Sequence, residues 1–235
     1  MLVLALDTAT TVVTAGLVEL PGSPGEAPVT LAARAHDGRR HGELLMPAVR
    51  ALCAETGRDL AEVDAVVVGA GPGPFTGLRV GIVSAAALGD ALGVPVHGVC
   101  SHDAIAWAVP VPEGSDPRDP GNLLVATDAR RREVYWALYD PTDPQVRRIS
   151  GPSVEAPESL GQRLGELGVG AVAGDPAFAD RLGVAITGPS APAPDGLVAV
   201  AAADLRAGRA PAPVEPLYLR RPDAEEPTGR KRVTA

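Results

Sequence analysis

The first half of the chain alternates short apolar runs with longer stretches in which apolar residues recur every three or four positions. Short runs rich in β-branched residues predict strands, and the wider spacing predicts amphipathic helices. Gly57 and Gly93 follow the two longest helical stretches and mark their ends, and Ser101 is the expected N-cap of a shorter helix. The pattern predicts three strands, a helix, a strand, a helix, a strand and a helix, at residues 2–6, 12–18, 29–35, 43–56, 64–70, 76–92, 96–99 and 101–108.

The second half repeats this order after a proline-rich, charged stretch at residues 109–121, which predicts a linker or long loop. Asp7 matches Asp128 at an offset of 121 residues, and Val13 matches Val134 at the same offset, as do Leu17 with Leu138 and Glu19 with Asp140. The repeated order and the constant offset predict an internal duplication. The second half has predicted strands at 122–128, 134–139, 146–149 and 169–173 and predicted helices at 157–167 and 196–207.

Two β-β-β-α-β-α halves, each with a strand–turn–strand opening at an aspartate, suggest a particular α/β fold class. That class is the actin/Hsp70-like ATPase fold with RNase H-like halves, which also includes sugar kinases (the ASKHA fold). We therefore expect an N-terminal lobe at residues 1–108, a linker at 109–121 and a C-terminal lobe at 122–235.

Composition narrows the functional classes. The chain has 235 residues, 46% of them hydrophobic and 21% charged, which is typical of a globular protein. Its net charge of −8 disfavours unaided binding to nucleic acid, since phosphates need a basic face. Residues 1–6 lack the basic start of a signal peptide, and no apolar run reaches the ~20 residues of a membrane span. We expect a cytoplasmic protein that contacts no membrane and holds Cys53 and Cys100 as reduced thiols.

The turn that follows the first predicted strand is a candidate phosphate site. Kinases and ATPases of the actin-like class have Asp-x-Gly-Thr there, because glycine lets the backbone approach a phosphate closely. Here Ala9 takes the glycine position two residues after Asp7, and the equivalent turn at Asp128 also lacks glycine. Gly174 and Asp175 are the nearest candidates for an adenosine-binding turn. The sequence thus favours a structural turn over ATP hydrolysis, and we expect no cofactor on this chain alone.

The most unusual local stretch is GAGPGPFTGLRVG, with Gly69, Gly71, Gly73 and Gly77. It fits neither a phosphate loop nor a dinucleotide-binding fingerprint. A glycine-rich turn at a helix N-terminus can bind an anion, with Thr76 and Arg79 assisting, or it can simply be a tight turn that needs positive φ values. Spacing alone leaves both interpretations open.

Histidines, cysteines and a false triad supply the remaining candidate chemistry. His36 and His41 are five residues apart, which is not the spacing of two metal ligands on one helical face, and His97 and His102 lack a cysteine or carboxylate cluster. Ser101, His102 and Asp103 are triad residue types, but neighbours in sequence do not face one another as a triad requires. The sequence therefore predicts neither a metal site nor a hydrolytic nucleophile.

The helix predicted at 76–92 is apolar almost all round, which indicates burial on more than one side. Gly77, Gly81, Ala85 and Gly89 recur every four residues and form a flat stripe that permits close approach of another helix. The stripe can be covered by the protein's own elements or by another chain.

Several sequence blocks together resemble the bacterial TsaB (YeaZ) family. They are LALDTAT at 4–10, HGELLMP at 41–47, GAGPGPFTGLRVGI at 69–82, GVPVHGV at 93–99, DARRREVYWALY at 128–139 and PLYLR at 216–220. The blocks span nearly the whole chain in order. One departure is Gly42 after His41, where the family more often has serine, and it weakens the expected helix start.

The resemblance implies a noncatalytic partner subunit in the synthesis of tRNA N6-threonylcarbamoyladenosine (t6A37). It implies pairing with the catalytic paralogue TsaD, addition of the ATPase TsaE, indirect contact with tRNA, and a homodimer when the chain is alone. ATP and metal are expected on the partner subunits. TsaD binds metal through a His-x-x-x-His helix, and here Leu45 stands where the second histidine would be.

The family pairs through its two N-terminal helices, which gives the expected interface residues. They are Leu45, Val49, Leu52, Leu78, Gly81, Ile82, Ala85 and Gly89. The alternatives are an active ATPase or peptidase-like enzyme of the same superfamily, against which Ala9 and Leu45 argue, and a homodimeric scaffold with no role in tRNA modification.

Overall fold

Two mixed β-sheets, one from each half of the chain, organise the fold. The computed structural model describes residues 1–37, 41–110, 120–143 and 147–220. The strands are β1 Leu2–Asp7, β2 Val12–Glu19, β3 Val29–Asp37, β4 Ala65–Gly69, β5 Val96–Val99, β6 Asn122–Asp128, β7 Val134–Asp140, β8 Arg147–Glu155 and β9 Val169–Gly174. The helices are α1 His41–Thr56, α2 Phe75–Leu92, α3 Ser101–Trp107, α4 Pro157–Gln162, α5 Ala179–Leu182 and α6 Pro194–Arg206.

The two sheets share one topology. The first has the order β3-β2-β1-β4-β5 and the second the order β8-β7-β6-β9. In each, the first strand pairs antiparallel with the second and parallel with the fourth. This shared order confirms the duplication predicted from the sequence. Among the described residues the second sheet has no strand equivalent to β5.

The inner strands β1, β2 and β4 of the first sheet are buried on both faces, which explains their continuous apolar runs. On β1, Leu4 and Leu6 belong to the core under α1 and α2, whereas Val3 and Ala5 belong to the core under α6. Successive strand residues point to opposite faces, so an unbroken run fills both layers.

Helix α6 corrects the predicted lobe boundary. It was expected within a C-terminal lobe at 122–235, yet Leu197, Ala201 and Leu205 pack on the first sheet. The chain beyond α6 also returns there, since the backbone N–H of Leu217 donates to the carbonyl of Ala70 at 2.8 Å. Helix α6 and the chain that follows it to Leu217 therefore complete the first lobe. Much of the predicted linker (111–119) and the chain after 220 lie outside the described residues.

The small-residue stripe of α2 faces the protein's own sheet. Gly77, Gly81, Ala85 and Gly89 are buried, and a Cβ at Gly81 would lie 2.4 Å from Thr8 Oγ1 on the neighbouring turn. At Gly89 a Cβ would lie 2.3 Å from a methyl group of Val96 on β5. The stripe thus lets α2 lie close against its own lobe.

The predicted interface residues are consequently misplaced for a role in docking. Seven are buried in this lobe, and the eighth, Ile82, is partly buried against the same core. A side chain enclosed by its own lobe cannot contact a second protein, so the prediction is wrong for the seven buried residues, whereas for Ile82 it stays a prediction. The buried seven are Leu45, Val49, Leu52, Leu78, Gly81, Ala85 and Gly89.

Helix α3 lies between the sheets and ties them together through its first three residues. Ser101 Oγ donates to Asp7 Oδ2 at the end of β1 at 2.5 Å. His102 Nε2 lies 2.8 Å from Thr127 Oγ1 on β6. Asp103 Oδ1 accepts from the hydroxyl of Tyr139 on β7 at 2.8 Å. These three bonds, here named the α3 clamp, connect one helix to both sheets.

Burial shifts the titration of two clamp groups in opposite directions. Desolvation raises the pKa of Asp7 to about 6, against the lowering effect of the hydrogen bonds from Ser101 and the backbone. Desolvation, with a smaller contribution from the charge of Arg148, lowers the pKa of His102 to about 3. Burial thus shifts both groups toward their neutral forms: His102 is neutral at pH 7, whereas Asp7 becomes neutral only below about pH 6.

Gly81→Leu should destabilise the folded chain, because α2 cannot stay in place over Thr8 with a side chain at that position. Overpacking of this kind costs about 1–3 kcal/mol. Urea unfolding should show the loss as a lower midpoint, and Val83→Leu on the exposed side of α2 is the matched control. An unchanged midpoint for Gly81→Leu would contradict the packing of α2.

The α3 clamp predicts a measurable pH dependence. His102 is protonated below pH ~6.5 in the unfolded chain but only below about pH 3 in the folded chain. Acidification between these two values therefore lowers the free energy of unfolding. Asp7 acts in the opposite direction between about pH 4 and 6, where the folded chain binds the proton first. The two nearly cancel in that window.

His102→Gln removes one side of this balance. Its free energy of unfolding should rise on acidification from pH 6 to 4 relative to the wild type, by roughly 1.4 kcal/mol per pH unit. Asp7→Asn should show the reverse slope. Parallel pH profiles for the wild type and both variants would refute the assigned protonation states.

Candidate functional site

The β1 turn holds its aspartate in an enclosed position. Asp7 is fully buried, and besides the clamp bond it accepts from the backbone N–H of Ala9 at 2.9 Å. Thr8 Oγ1 donates to the carbonyl of Gly77 at 2.6 Å, which fixes the turn to the first turn of α2. Both carboxylate oxygens are occupied by the protein itself. The turn is therefore built as a structural joint.

The equivalent turn of the second half leaves little room for a ligand. Asp128 Oδ1 accepts from the backbone N–H of Arg130 at 2.7 Å, the same type of bond that Asp7 makes. Asp128 and Asp175 line the space between the two turns with Thr10, and its volume is about 10 Å³. That is about the volume that one water molecule requires. Asp175 instead caps a short turn by accepting from the backbone N–H of Ala177.

The glycine-rich turn is explained by packing. A Cβ at Gly69 would lie 1.7 Å from Asp7 Oδ2, and one at Gly73 would lie 2.3 Å from the carbonyl oxygen of Ala9. Gly71 has a φ of 104°, as a tight turn with positive φ predicts. Arg79, the proposed helper in anion binding, places its guanidinium 4.0 Å from the ring centre of Phe75. These glycines make room for the β1 turn.

Candidate ligands for a metal do not gather in the described part of the chain, where no three His, Cys, Asp or Glu side chains form a cation-binding group. His97 and His102 are buried apart, and the side chain of His41 lies outside the description. Cys53 and Cys100 are free, and burial raises the pKa of the Cys100 thiol to about 12. The absence of metal and cofactor from this chain stays a prediction.

The three triad residue types serve the clamp instead. Ser101 and His102 point to different sheets, so the imidazole does not face the serine hydroxyl, which donates to Asp7 instead. The prediction that Ser101 is the N-cap is wrong, since Cys100 is the N-cap and Ser101 is the first helical residue, with its hydroxyl bonded to Asp7. This geometry does not support hydrolysis.

An outward apolar face of α2 is the feature that sequence reasoning placed on the wrong side of the helix. Val83 is 65% exposed, and Ala86 and Ala87 beside it are exposed. Helix α2 is 18 residues long and has a mean hydropathy of 1.3, which is long and apolar enough to cross a membrane by these criteria alone. Only 28% of its residues are buried in the fold. The small residues spaced every four positions mark the inner face of α2. The apolar residues on the opposite side of the helix would then have indicated the outer face.

Similarity to known proteins gives the family. The family model described as TsaD, tRNA N6-adenosine threonylcarbamoyltransferase, matches residues 34–171. An uncharacterised protein of Mycobacterium tuberculosis is 48% identical over 95% of this chain and 93% of its own length. An uncharacterised protein of Mycobacterium leprae is 47% identical over 95% of this chain, which spans 56% of that relative.

Named relatives match over a shorter stretch. The tRNA threonylcarbamoyladenosine biosynthesis protein TsaB of Escherichia coli is 32% identical over 55% of this chain and 54% of its own length. YeaZ of Pseudomonas aeruginosa superposes with a TM-score of 0.71 at 27% identity, covering 93% of this chain and 99% of that structure. The actin/Hsp70-like fold class is thereby confirmed. The chain belongs to the TsaB (YeaZ) family, within the wider TsaD family.

Proposed function

We propose that this protein is a noncatalytic partner subunit in tRNA threonylcarbamoyladenosine synthesis and docks on a TsaD-like catalytic paralogue. Membership of the TsaB family supports the pathway, since its named relatives are biosynthesis proteins of that nucleoside. The enclosed Asp7 and the small space between the two turns support a noncatalytic role. The active ATPase or peptidase of the same superfamily remains the alternative.

The outer face of α2 is the observation that carries the docking proposal. Val83, Ala86 and Ala87 present apolar surface to solvent in the middle of the 18-residue helix, between the exposed charges of Arg79 and Asp90. Contiguous exposed apolar surface of this kind marks interaction sites in soluble domains. The exposed residues of α1 include Glu43, Arg50 and Glu55, so the apolar contact belongs to α2. The proposed docking surface therefore lies on α2, one of the two predicted helices, on the side opposite its buried small-residue stripe.

The wider assembly follows from the same role. We propose that a TsaE-like ATPase joins the pair, that ATP and metal are held by the partner subunits, and that the complex is cytoplasmic. A second copy of this chain is expected to occupy the outer face of α2 when the paralogue is absent. Contact with tRNA is expected to be made mainly by the partners.

Val83→Glu should abolish most of the association. A charge placed at the centre of a desolvated apolar contact should weaken the binding free energy by at least about 1.4 kcal/mol, which is tenfold in affinity. The measurement is titration of purified TsaD-like paralogue against each variant, with sedimentation for the homodimer. Because Val83 lies outside the core, thermal unfolding of the variant's monomer should be unchanged.

Ile149→Glu is the matched control, since Ile149 is exposed on β8 of the other sheet. It should bind the paralogue as the wild type does and should support tRNA modification in a reconstituted assay. Wild-type affinity for folded Val83→Glu would contradict the docking surface. ATP turnover by the repurified chain alone would instead favour the enzymatic alternative.

A further inference from the structure

An elongated cavity lies along the outer edge of β5, the last strand of the first sheet. Helix α6 forms one wall, and the chain at 209–217 forms the other. Its two parts have volumes of about 360 and 330 Å³, and both are lined by His97, Asp204 and Glu215. This continuous space is here named the edge cavity. The lining residues that the structure describes include none from α2, so the cavity is separate from the proposed docking surface.

His97 on β5 is a buried polar side chain that faces this cavity. It is only 6% exposed, and among the described residues its imidazole has no hydrogen-bond partner. Its ring nitrogens are reached from the cavity and are not sealed in the core. Desolvation lowers the pKa of His97, although the charge of Asp204 acts in the opposite direction. The imidazole is therefore neutral at pH 7, with one nitrogen available as an acceptor.

Two carboxylates add acceptors to the same space. Glu215 has no hydrogen bond or ion pair with any residue that the structure describes. Asp204 on α6 pairs with Arg209 through Oδ1, which leaves Oδ2 as a further acceptor. Ionised carboxylates accept hydrogen bonds and donate none. Together with His97 they match a ligand that is rich in donors.

The arginines of the cavity are already paired. Arg148 Nε lies 3.6 Å from Asp103 Oδ1, and Arg209 binds Asp204. These two pairs balance in charge and His97 is neutral, so Glu215 leaves the described lining with a surplus of one negative charge. A cation is attracted to this surplus, whereas an anion is repelled. The ligand that fits is therefore a cationic donor.

Apolar side chains make up much of the remaining wall. Val99, Val200 and Leu217 line the larger part of the cavity, and Pro211 and Pro213 line the smaller part. Proline has no backbone N–H, so these two residues add no donor that competes for the acceptors. Apolar surface beside charged groups suits a methylene stem that packs while its charged head finds a polar partner. The lining thus matches ammonium groups joined by methylene chains.

We propose that the edge cavity binds a linear aliphatic polyamine. One ammonium group donates to Glu215 and His97, and a second donates to the free oxygen of Asp204. The methylene chain between them packs on the apolar wall. An ammonium has three donors and no acceptor, which is the complement of this lining. The volume of each part lies in the ~300–1,000 Å³ range of small-molecule sites. The proposal does not depend on the proposed function.

The test is calorimetric titration of spermidine into the full chain at low salt. Butylamine is the probe for a single ammonium group, and Mg²⁺ is the probe for general attraction of cations. Spermidine should bind saturably at one molecule per chain. Its affinity should exceed that of butylamine about tenfold, which is the effect of one additional charge-assisted hydrogen bond.

Glu215→Gln keeps the size of the side chain and removes its charge. It should weaken spermidine binding about fivefold, less than a buried charge would, because Glu215 is exposed and its charge is screened. Glu166→Gln is the matched control. Glu166 is an exposed glutamate outside the cavity that likewise has no partner among the described residues, so this variant should bind within about twofold of the wild type.

His97→Leu removes the buried acceptor and should also weaken spermidine binding about fivefold, with thermal unfolding as the check that the variant folds. Should it fail to fold, Glu215→Gln still decides, since that side chain is exposed. Three results would overturn the proposal. They are no saturable binding of spermidine, affinity for Mg²⁺ or butylamine equal to that for spermidine, and spermidine binding that Glu215→Gln leaves unchanged.

Discussion

Burial of the first turn of α3 between two sheets is the constraint on which the rest of the structure depends. Successive residues of a helix project about 100° apart, so three neighbours can reach three different strands. Ser101, His102 and Asp103 do this, bonding to β1, β6 and β7. A buried polar group without a partner costs about 1–3 kcal/mol, so the two lobes are held in one relative position by groups that must stay paired.

This clamp also determines what the cleft between the lobes can do. Asp7 is used as an acceptor for α3 and its own turn, and the glycines at 69 and 73 bring the neighbouring turn onto it. An aspartate that positions phosphate or metal needs an open oxygen, which this one lacks. The fold therefore has the duplicated two-sheet architecture without an open aspartate between its lobes. The features that suggest function lie on its surface instead.

Sequence periodicity predicted most elements because their residues are locally consistent. Strands β1, β4 and β6 are continuous apolar runs, and glycines end α1 and α2. Periodicity could not say which side of α2 meets its own lobe, because both sides are apolar or small. Nor could it place α6 on the first sheet, since that contact joins segments nearly 200 residues apart. The role of Ser101 was also hidden, because its partner Asp7 is 94 positions away.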